Sequence, residues 1–189
     1  ERSSGGVWSY PANLNDNLSP DGTDTYTPSV TISDAGSVII VWRQIMSGSN
    51  YQLYFAERNT SGVWTIPSSL SDNISPEGRF ATSAQVAVNA DGVAIIVWQQ
   101  FDGSYDQIFK SVRNTSGVWT HPTSLSDNLS PDGQHAQEAQ VAINSIGQAV
   151  VTWRQSDGTT AQIFKAERSS TGIWTQPSSL TDNISPDVQ

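Results

Sequence analysis

Tryptophan recurs at fixed intervals along this chain. All seven tryptophans fall at only two positions of one repeating unit, spaced by 56, 55 and 55 residues in one series and by 56 and 55 residues in the other. The first series is Trp8, Trp64, Trp119 and Trp174, and the second is Trp42, Trp98 and Trp153. A period of this length is the signature of a repeat protein whose units stack on one another. We therefore predict that residues 1–189 form a single repeat array.

Each unit contains four segments with strand character. In the second unit they are residues 85–89, 93–98, 107–111 and 118–122. The first segment has small or branched side chains, and the second is an apolar run of the kind found in strands covered on both faces. A turn signal, Asp91-Gly92, separates these two segments. The pattern predicts four antiparallel strands in every unit.

Every copy of the fourth segment contains a proline, at Pro11, Pro67, Pro122 and Pro177. Because proline cannot donate to a β-ladder, this strand should lie at a sheet edge. A small-residue inner strand, a doubly covered second strand and an outer edge strand form the blade of a β-propeller. We predict an all-β propeller with three four-stranded antiparallel blades per chain, and tryptophans packed as a structural core between the blades. The predicted boundaries are 1–22 for the outer strand of a preceding blade, 23–78 for blade 1, 79–133 for blade 2 and 134–189 for blade 3.

Composition excludes several classes of function. The net charge of −9 disfavours binding to nucleic acid or to an anionic membrane, since both are themselves negative. The chain has no cysteine, which excludes disulfides and cysteine-ligated metals. The acidic composition rich in Ser, Thr and Asn weakly favours a secreted or cell-surface protein. No cofactor is predicted.

The turn before the fourth strand carries a recognisable motif. Residues 58–64 and 113–119 both read Arg-Asn-Thr-Ser-Gly-Val-Trp. This hairpin resembles a divergent Asp-box, the bacterial neuraminidase-type repeat of sialidase-like propellers. It departs from that pattern because only one residue separates Gly62 from Trp64 and the motif aspartate is missing. The resemblance implies a propeller fold in which this hairpin is structural and lies away from the active face.

The copies differ mainly in two kinds of segment. One is the connection into each blade, at residues 23–26, 79–82 and 134–137, and the other is the second hairpin, at residues 45–51, 101–105 and 156–160. In up-and-down connectivity both emerge at the same end of the propeller, and loops on a rigid scaffold often carry binding residues. The candidate ligand-binding residues are Tyr26, Arg43, Tyr51, Arg79, Phe80, Tyr105, His135 and Arg154. The alternative is that these loops vary because nothing constrains them.

The resemblance to sialidase-like propellers raises the possibility of a sialidase active site. A sialidase needs three arginines that bind the carboxylate of the substrate, a tyrosine nucleophile paired with a glutamate, and an aspartic acid that acts as the general acid. Arginines and Tyr26 are available at the variable segments, but no matching Tyr/Glu pair can be placed, and repetition argues against one asymmetric site. His121 and His135 occupy different repeat positions, which gives little support to a histidine metal site or triad. We expect a chain that is not an enzyme and has no catalytic residues.

A loop rich in oxygen ligands recurs in each unit, as in residues 72–78. Its spacing misses the alternating acidic pattern of a calcium loop by one residue. Ser-Pro and Asp-Gly are ordinary turn formers, so a turn is favoured over a metal site. No metal ligands are predicted.

Three functions remain as hypotheses. The first is a non-catalytic scaffold that presents its variable face to a protein, the second is a lectin-like propeller that binds glycans, and the third is a sialidase-like hydrolase. Closed propellers typically need about 4–8 blades. Three blades would leave open edges, so we expect a homo-oligomer that closes a ring, with a six-bladed dimer the simplest case. The surplus fourth strand, at residues 7–11 or 173–177, would compete for the closing position.

Overall fold

A computed structural model describes residues 1–2, 5–48, 50–77 and 79–186. The described residues form twelve strands in three four-stranded antiparallel sheets, each with its strands in chain order. Blade 1 contains β1 (Thr25–Ile32), β2 (Val38–Ser47), β3 (Asn50–Arg58) and β4 (Trp64–Thr65). Blade 2 contains β5 (Ala81–Val88), β6 (Ala94–Phe101), β7 (Asp106–Arg113) and β8 (Trp119–Thr120). Blade 3 contains β9 (Ala136–Ile143), β10 (Ala149–Ser156), β11 (Ala161–Arg168) and β12 (Trp174–Thr175).

This architecture confirms the predicted all-β fold with three propeller blades. The fourth strand is shorter than expected, because only two residues of each copy pair with the third strand. In blade 2 these residues are Trp119 and Thr120, and the chain reaches Pro122 two residues later, where the ladder cannot continue. No helix long and apolar enough to cross a membrane occurs in the part of the chain that the structure describes.

The first strands of the three blades lie side by side at the centre of the array. β5 contacts both β1 and β9, and it also packs against β2 of the preceding blade. Alanines on these inner strands are buried, as the narrow space near the axis requires, at Ala81, Ala84, Ala136 and Ala139. Each inner strand is interrupted by a bulge, at a residue with left-handed backbone: Thr27 (φ 47°), Ser83 (φ 55°) and Glu138 (φ 61°).

The core consists of the apolar faces that neighbouring blades share. In β6, Ile95 and Val97 face blade 3 and pack in the cluster that contains Trp153. Ile96 and Trp98 point the other way and pack in the cluster shared with blade 1. Both faces of the central strand are therefore covered, which explains the unbroken apolar run seen in the sequence.

A buried glutamine ties each blade to the connection that precedes it. The Trp98 indole N–H donates to Gln100 Oε1 at 3.0 Å, and Gln100 Nε2 donates to the Pro76 carbonyl at 2.6 Å. The same bonds recur in the other blades, from Trp42 through Gln44 to Pro20 and from Trp153 through Gln155 to Pro131. Each of these three buried glutamines thus has a hydrogen-bond partner for both its side-chain oxygen and its side-chain nitrogen.

The two tryptophan series differ in burial. Trp42, Trp98 and Trp153 are buried and stack on an aromatic ring of the third strand. Trp64, Trp119 and Trp174 on the fourth strands are only partly buried. The prediction that Trp8 belongs to the core is wrong, because its side chain is 57% exposed. It forms an isolated antiparallel bridge with Arg2 and belongs to none of the three sheets.

Candidate functional site

The two kinds of variable segment meet at one end of the array, which we call the variable face. The Ile45 amide donates to the Asp24 carbonyl at 3.1 Å, and the Phe101 amide donates to the Phe80 carbonyl at 3.2 Å. In blades 1 and 2 the second hairpin is thereby bonded to the connection that enters its own blade. The side chain of Gln52 also donates to the Arg79 carbonyl at 3.2 Å, which links the hairpin of blade 1 to the connection into blade 2.

Four of the predicted residues form a cluster where blades 1 and 2 meet. We call Tyr26, Arg43, Tyr51 and Phe80 the aromatic cluster. The Arg43 guanidinium lies 4.8 Å from the ring centre of Tyr51 and 5.3 Å from that of Tyr26. Tyr51 meets Tyr26 edge-on at 5.6 Å and Phe80 at 6.2 Å. The rings remain accessible, with Tyr26 37% and Phe80 47% exposed.

Polar groups fix this cluster on two sides. Arg43 Nη1 donates to Thr82 Oγ1 of blade 2 at 3.0 Å, so the arginine spans the blade junction. The Tyr26 hydroxyl donates to Asp24 Oδ2 at 3.3 Å. Desolvation, followed by the negative charge of Asp24, raises the pKa of the Tyr26 phenol above its ordinary value. The phenol is therefore a stable hydrogen-bond donor at neutral pH.

A second group forms where blades 2 and 3 meet. His135 Nδ1 lies 3.1 Å from Asp106 Oδ2 and accepts the Asp106 amide N–H at 3.0 Å. The Tyr105 ring packs edge-on against the His135 ring at 5.3 Å. Gln137 donates to the same Asp106 carboxylate at 3.4 Å. This junction therefore carries an imidazole, a carboxylate and an amide in contact with one another.

The two junctions differ in matched pairs. Tyr51 and Phe80 occupy the repeat positions that Asp106 and His135 occupy one blade later. The first pair is in ring contact, and in the second pair an imidazole nitrogen lies against a carboxylate oxygen. Loops that vary without constraint would not be expected to change both members of a contact together. The matched change indicates that these positions depend on contact with each other across the blade junction.

The remaining predicted residues lie at the edge of these groups. The Arg79 guanidinium is 5.9 Å from the Phe101 ring centre. Arg154 occupies the position of Arg43 in blade 3, opposite Gln137 on the neighbouring strand, and is exposed. In the part of the chain that the structure describes, Arg154 is therefore not part of the aromatic cluster.

Sequence reasoning missed several members of the site. Asp24, Thr82 and Gln137 lie within the variable segments. Their position in the repeat could therefore have identified them as site residues, although their residue types alone could not. Asp106 was assigned no role, although it follows Tyr105 directly. The exposed carboxylate of Glu138 lies at an inner-strand bulge, and bulges often occur beside active sites.

The repeated acidic loops close a turn with their aspartates. Asp127 Oδ2 accepts the amide N–H groups of Thr123 and Ser124 at 2.8 and 2.9 Å, and also the Thr123 hydroxyl at 3.1 Å. These bonds, with that of the Thr123 amide foremost, lower the pKa of Asp127. Asp72 and Asp182 make the same contacts. The residues described by the structure contain no cluster of three or more His, Asp or Glu side chains suited to a metal ion.

No protein-family model matches the sequence, and no curated protein matches it either. The chain is similar in structure to the polysaccharide lyase Uly1, with a TM-score of 0.53 and 13% identity over 79% of this chain and 40% of that chain. It is also similar to a glycosyl hydrolase from Bacteroides ovatus, with a TM-score of 0.51 and 12% identity over 94% of this chain and 60% of that chain. The chain thus spans less than two thirds of either solved structure.

These comparisons support the propeller fold. They also contradict the expectation that the chain is not an enzyme, because the solved structures of this fold are named as a lyase and a hydrolase. That expectation rested on the absence of a sialidase Tyr/Glu pair and on repetition. The first argument excludes the sialidase mechanism alone, and a lyase and a hydrolase are both similar to this chain in fold.

Proposed function

We propose that this chain is the blade array of a carbohydrate-active propeller and that it binds a glycan at the variable face. The observation that carries the proposal is the aromatic cluster, in which exposed rings surround one positioned arginine. A sugar ring presents an apolar C–H surface on its face and hydroxyls at its edge. Sites for such ligands combine aromatic contact with a few fixed polar groups.

The polar groups beside these rings are already in place. Arg43 is held by two rings and by the Thr82 hydroxyl, so it would lose little conformational freedom on binding. The Asp24 carboxylate and the Thr82 hydroxyl offer further partners to sugar hydroxyls. The similarity in fold to proteins named as a lyase and a hydrolase supports a carbohydrate ligand.

The same face carries groups that can transfer protons. Asp24 and Asp106 are of the residue type that most glycosidases use as acid and base, and His135, in contact with Asp106, is a further group that can transfer protons. We therefore include cleavage of the bound glycan in the proposal. Incubation with a panel of neutral and acidic polysaccharides tests it, with binding read by calorimetry and cleavage by the release of new chain ends.

We further propose that the open side of blade 3 binds another blade of the same repeat, supplied by a second copy of the chain. Val150 and Ile163 are 39% and 42% exposed there, whereas the equivalent Ile95 and Ile108 of blade 2 are fully covered by blade 3. The same apolar face is therefore buried once a further blade is added, and left open where none of the described blades follows.

A groove along this open side has a filled counterpart inside the chain. It has a volume of about 760 Å³ and is lined by Glu167 and Arg168. The equivalent groove of blade 1, lined by Glu57 and Arg58, measures only about 30 Å³ because Arg113 of blade 2 enters it. Glu167 now pairs with Lys165 of its own strand at 3.0 Å, and in the proposed dimer an arginine from the incoming blade joins this pair. The Arg58 of a second copy can supply this arginine if Glu1, its present partner, is displaced.

A further inference from the structure

The fourth-strand tryptophan and the arginine at the end of the third strand hold a glutamate of the preceding unit at two junctions. Glu1 accepts from Arg58 Nη1 at 2.6 Å and from the Trp64 indole N–H at 2.7 Å. Glu57 lies 3.2 Å from Arg113 Nε and accepts from the Trp119 indole N–H at 3.3 Å. A carboxylate held by an arginine and an indole N–H is therefore a recurring feature of the repeat.

The junction between blades 2 and 3 has the arginine and the tryptophan without the carboxylate. The glutamate position is taken by Val112, while Arg168 and Trp174 are retained. Arg168 Nη1 donates to the Gly147 carbonyl, as Arg113 does to Gly92. Within the described part of the chain, neither Arg168 nor Trp174 contacts an acidic side chain.

A pocket replaces the missing side chain. It has a volume of about 410 Å³, and its lining includes Val112, Arg168, Trp174, Lys110, His121 and Asp127. The Lys110 ammonium lies 5.3 Å from the ring centre of Trp174. The volume lies within the range of about 300–1,000 Å³ that is usual for small-ligand sites.

The charges in this pocket do not balance. Lys110 and Arg168 contribute two cations, and the one acid, Asp127, already accepts three hydrogen bonds from its own turn. Burial lowers the pKa of Lys110, and the negative charge of Asp127 opposes this shift only in part. An anion bound here would accept hydrogen bonds from an arginine and an indole N–H, the two groups that bind a glutamate carboxylate at the other junctions.

We propose that this pocket binds a small ligand through its carboxylate, in the place where Glu1 and Glu57 put theirs. The volume suits an acid of monosaccharide size, such as a uronic acid. The site lies against the outer strands β8 and β12 and shares no residue with the aromatic cluster. Carboxylate binding in this pocket can therefore be tested independently of glycan binding at the variable face.

The test follows the indole N–H resonances of Trp174, Trp119 and Trp64 by NMR during titration with sodium acetate and sodium glucuronate. Sodium chloride controls for ionic strength, and sodium sulfate serves as a tetrahedral anion. We expect a saturable shift of the Trp174 resonance with both carboxylates. Trp64 and Trp119 should move little, because their indoles are already bonded to glutamates. A response that does not saturate, or one equally strong with sulfate, would overturn the proposal.

Two variants separate the pocket from a general charge effect. Val112→Glu supplies the missing carboxylate from within the chain and should abolish the response of Trp174 to acetate. Lys110→Met keeps the length of the side chain and removes its charge, so it should weaken binding by about tenfold. Unchanged acetate affinity in both variants would contradict the assignment. Lys110→Met alone decides the question if Val112→Glu does not fold.

Discussion

Arg113 of blade 2 enters a groove on blade 1 and places its Nε 3.2 Å from the carboxylate of Glu57. This contact is the seam between two blades, and its equivalents show how the array is built. At one end of the chain Arg58 pairs with Glu1, and between blades 2 and 3 the position of the glutamate is taken by Val112. At the other end Glu167 pairs with Lys165 of its own strand and with no arginine among the described residues. The same seam therefore occurs in three forms within one chain: with a glutamate paired to an arginine, with valine in place of the glutamate, and with a glutamate that no described blade covers.

The open seam predicts association. The wild-type chain should form a dimer or a larger closed assembly, because burial of Val150 and Ile163 adds to the pairing of Glu167 with an arginine. Glu167→Arg places like charges at the seam and should shift the chain to the monomer. Asp91→Arg, an equal change of charge in an exposed turn, should leave the mass unchanged. Light scattering over a range of concentrations measures this, and a wild-type chain that stays monomeric throughout would refute second-copy docking.

The buried glutamine predicts a stability effect. Gln100→Leu removes the acceptor of the Trp98 N–H and the donor to the Pro76 carbonyl, and so leaves two buried groups unpaired. We expect the free energy of unfolding to fall by about 1–3 kcal/mol for each unpaired group. Gln99→Leu, on the neighbouring and less buried position, is the matched control. Urea denaturation followed by tryptophan fluorescence compares the two, and equal stabilities would show that the network contributes nothing.

The repeated turn aspartates predict acid sensitivity. Hydrogen bonds from the Thr123 amide and its neighbours lower the pKa of Asp127, and the pKa values of Asp72 and Asp182 are lowered in the same way. Their stabilisation is complete above the unfolded-state pKa of about 3.9. It is lost as pH falls through the lower folded-state values. Asp127→Asn should flatten the dependence of the urea midpoint on pH in this range. The same slope in variant and wild type would contradict this origin.

Much of the fold could be predicted because its determinants are local. Because both faces of β6 are buried, the strand needs an unbroken apolar sequence such as residues 93–98. The proline that follows Trp119 ends the outer strand within a few residues. The inner-strand bulges could not be predicted, since Thr27, Ser83 and Glu138 are not residues that favour left-handed backbone.

The candidate site was predictable in position and not in detail. Up-and-down connectivity places the variable segments at one end, so Tyr26, Arg43, Tyr51 and Phe80 could be named from the sequence. The contact of Asp106 with His135 joins residues 29 positions apart in different blades, and no local pattern indicates it. Exposure of Trp8 was missed because the periodicity gives a residue's place in the unit without saying whether a neighbouring unit covers it.

The most direct test of the central claim is calorimetric titration of the chain with the glycan that binds best in the polysaccharide panel, repeated with Phe80→Ala and Tyr10→Ala. Both substitutions remove one exposed aromatic ring, but only Phe80 belongs to the aromatic cluster. Phe80→Ala should weaken binding by at least about tenfold, or 1.4 kcal/mol, whereas Tyr10→Ala should leave the affinity unchanged. Equal affinities in all three proteins, or no binding of any glycan by the wild type, would contradict the central claim.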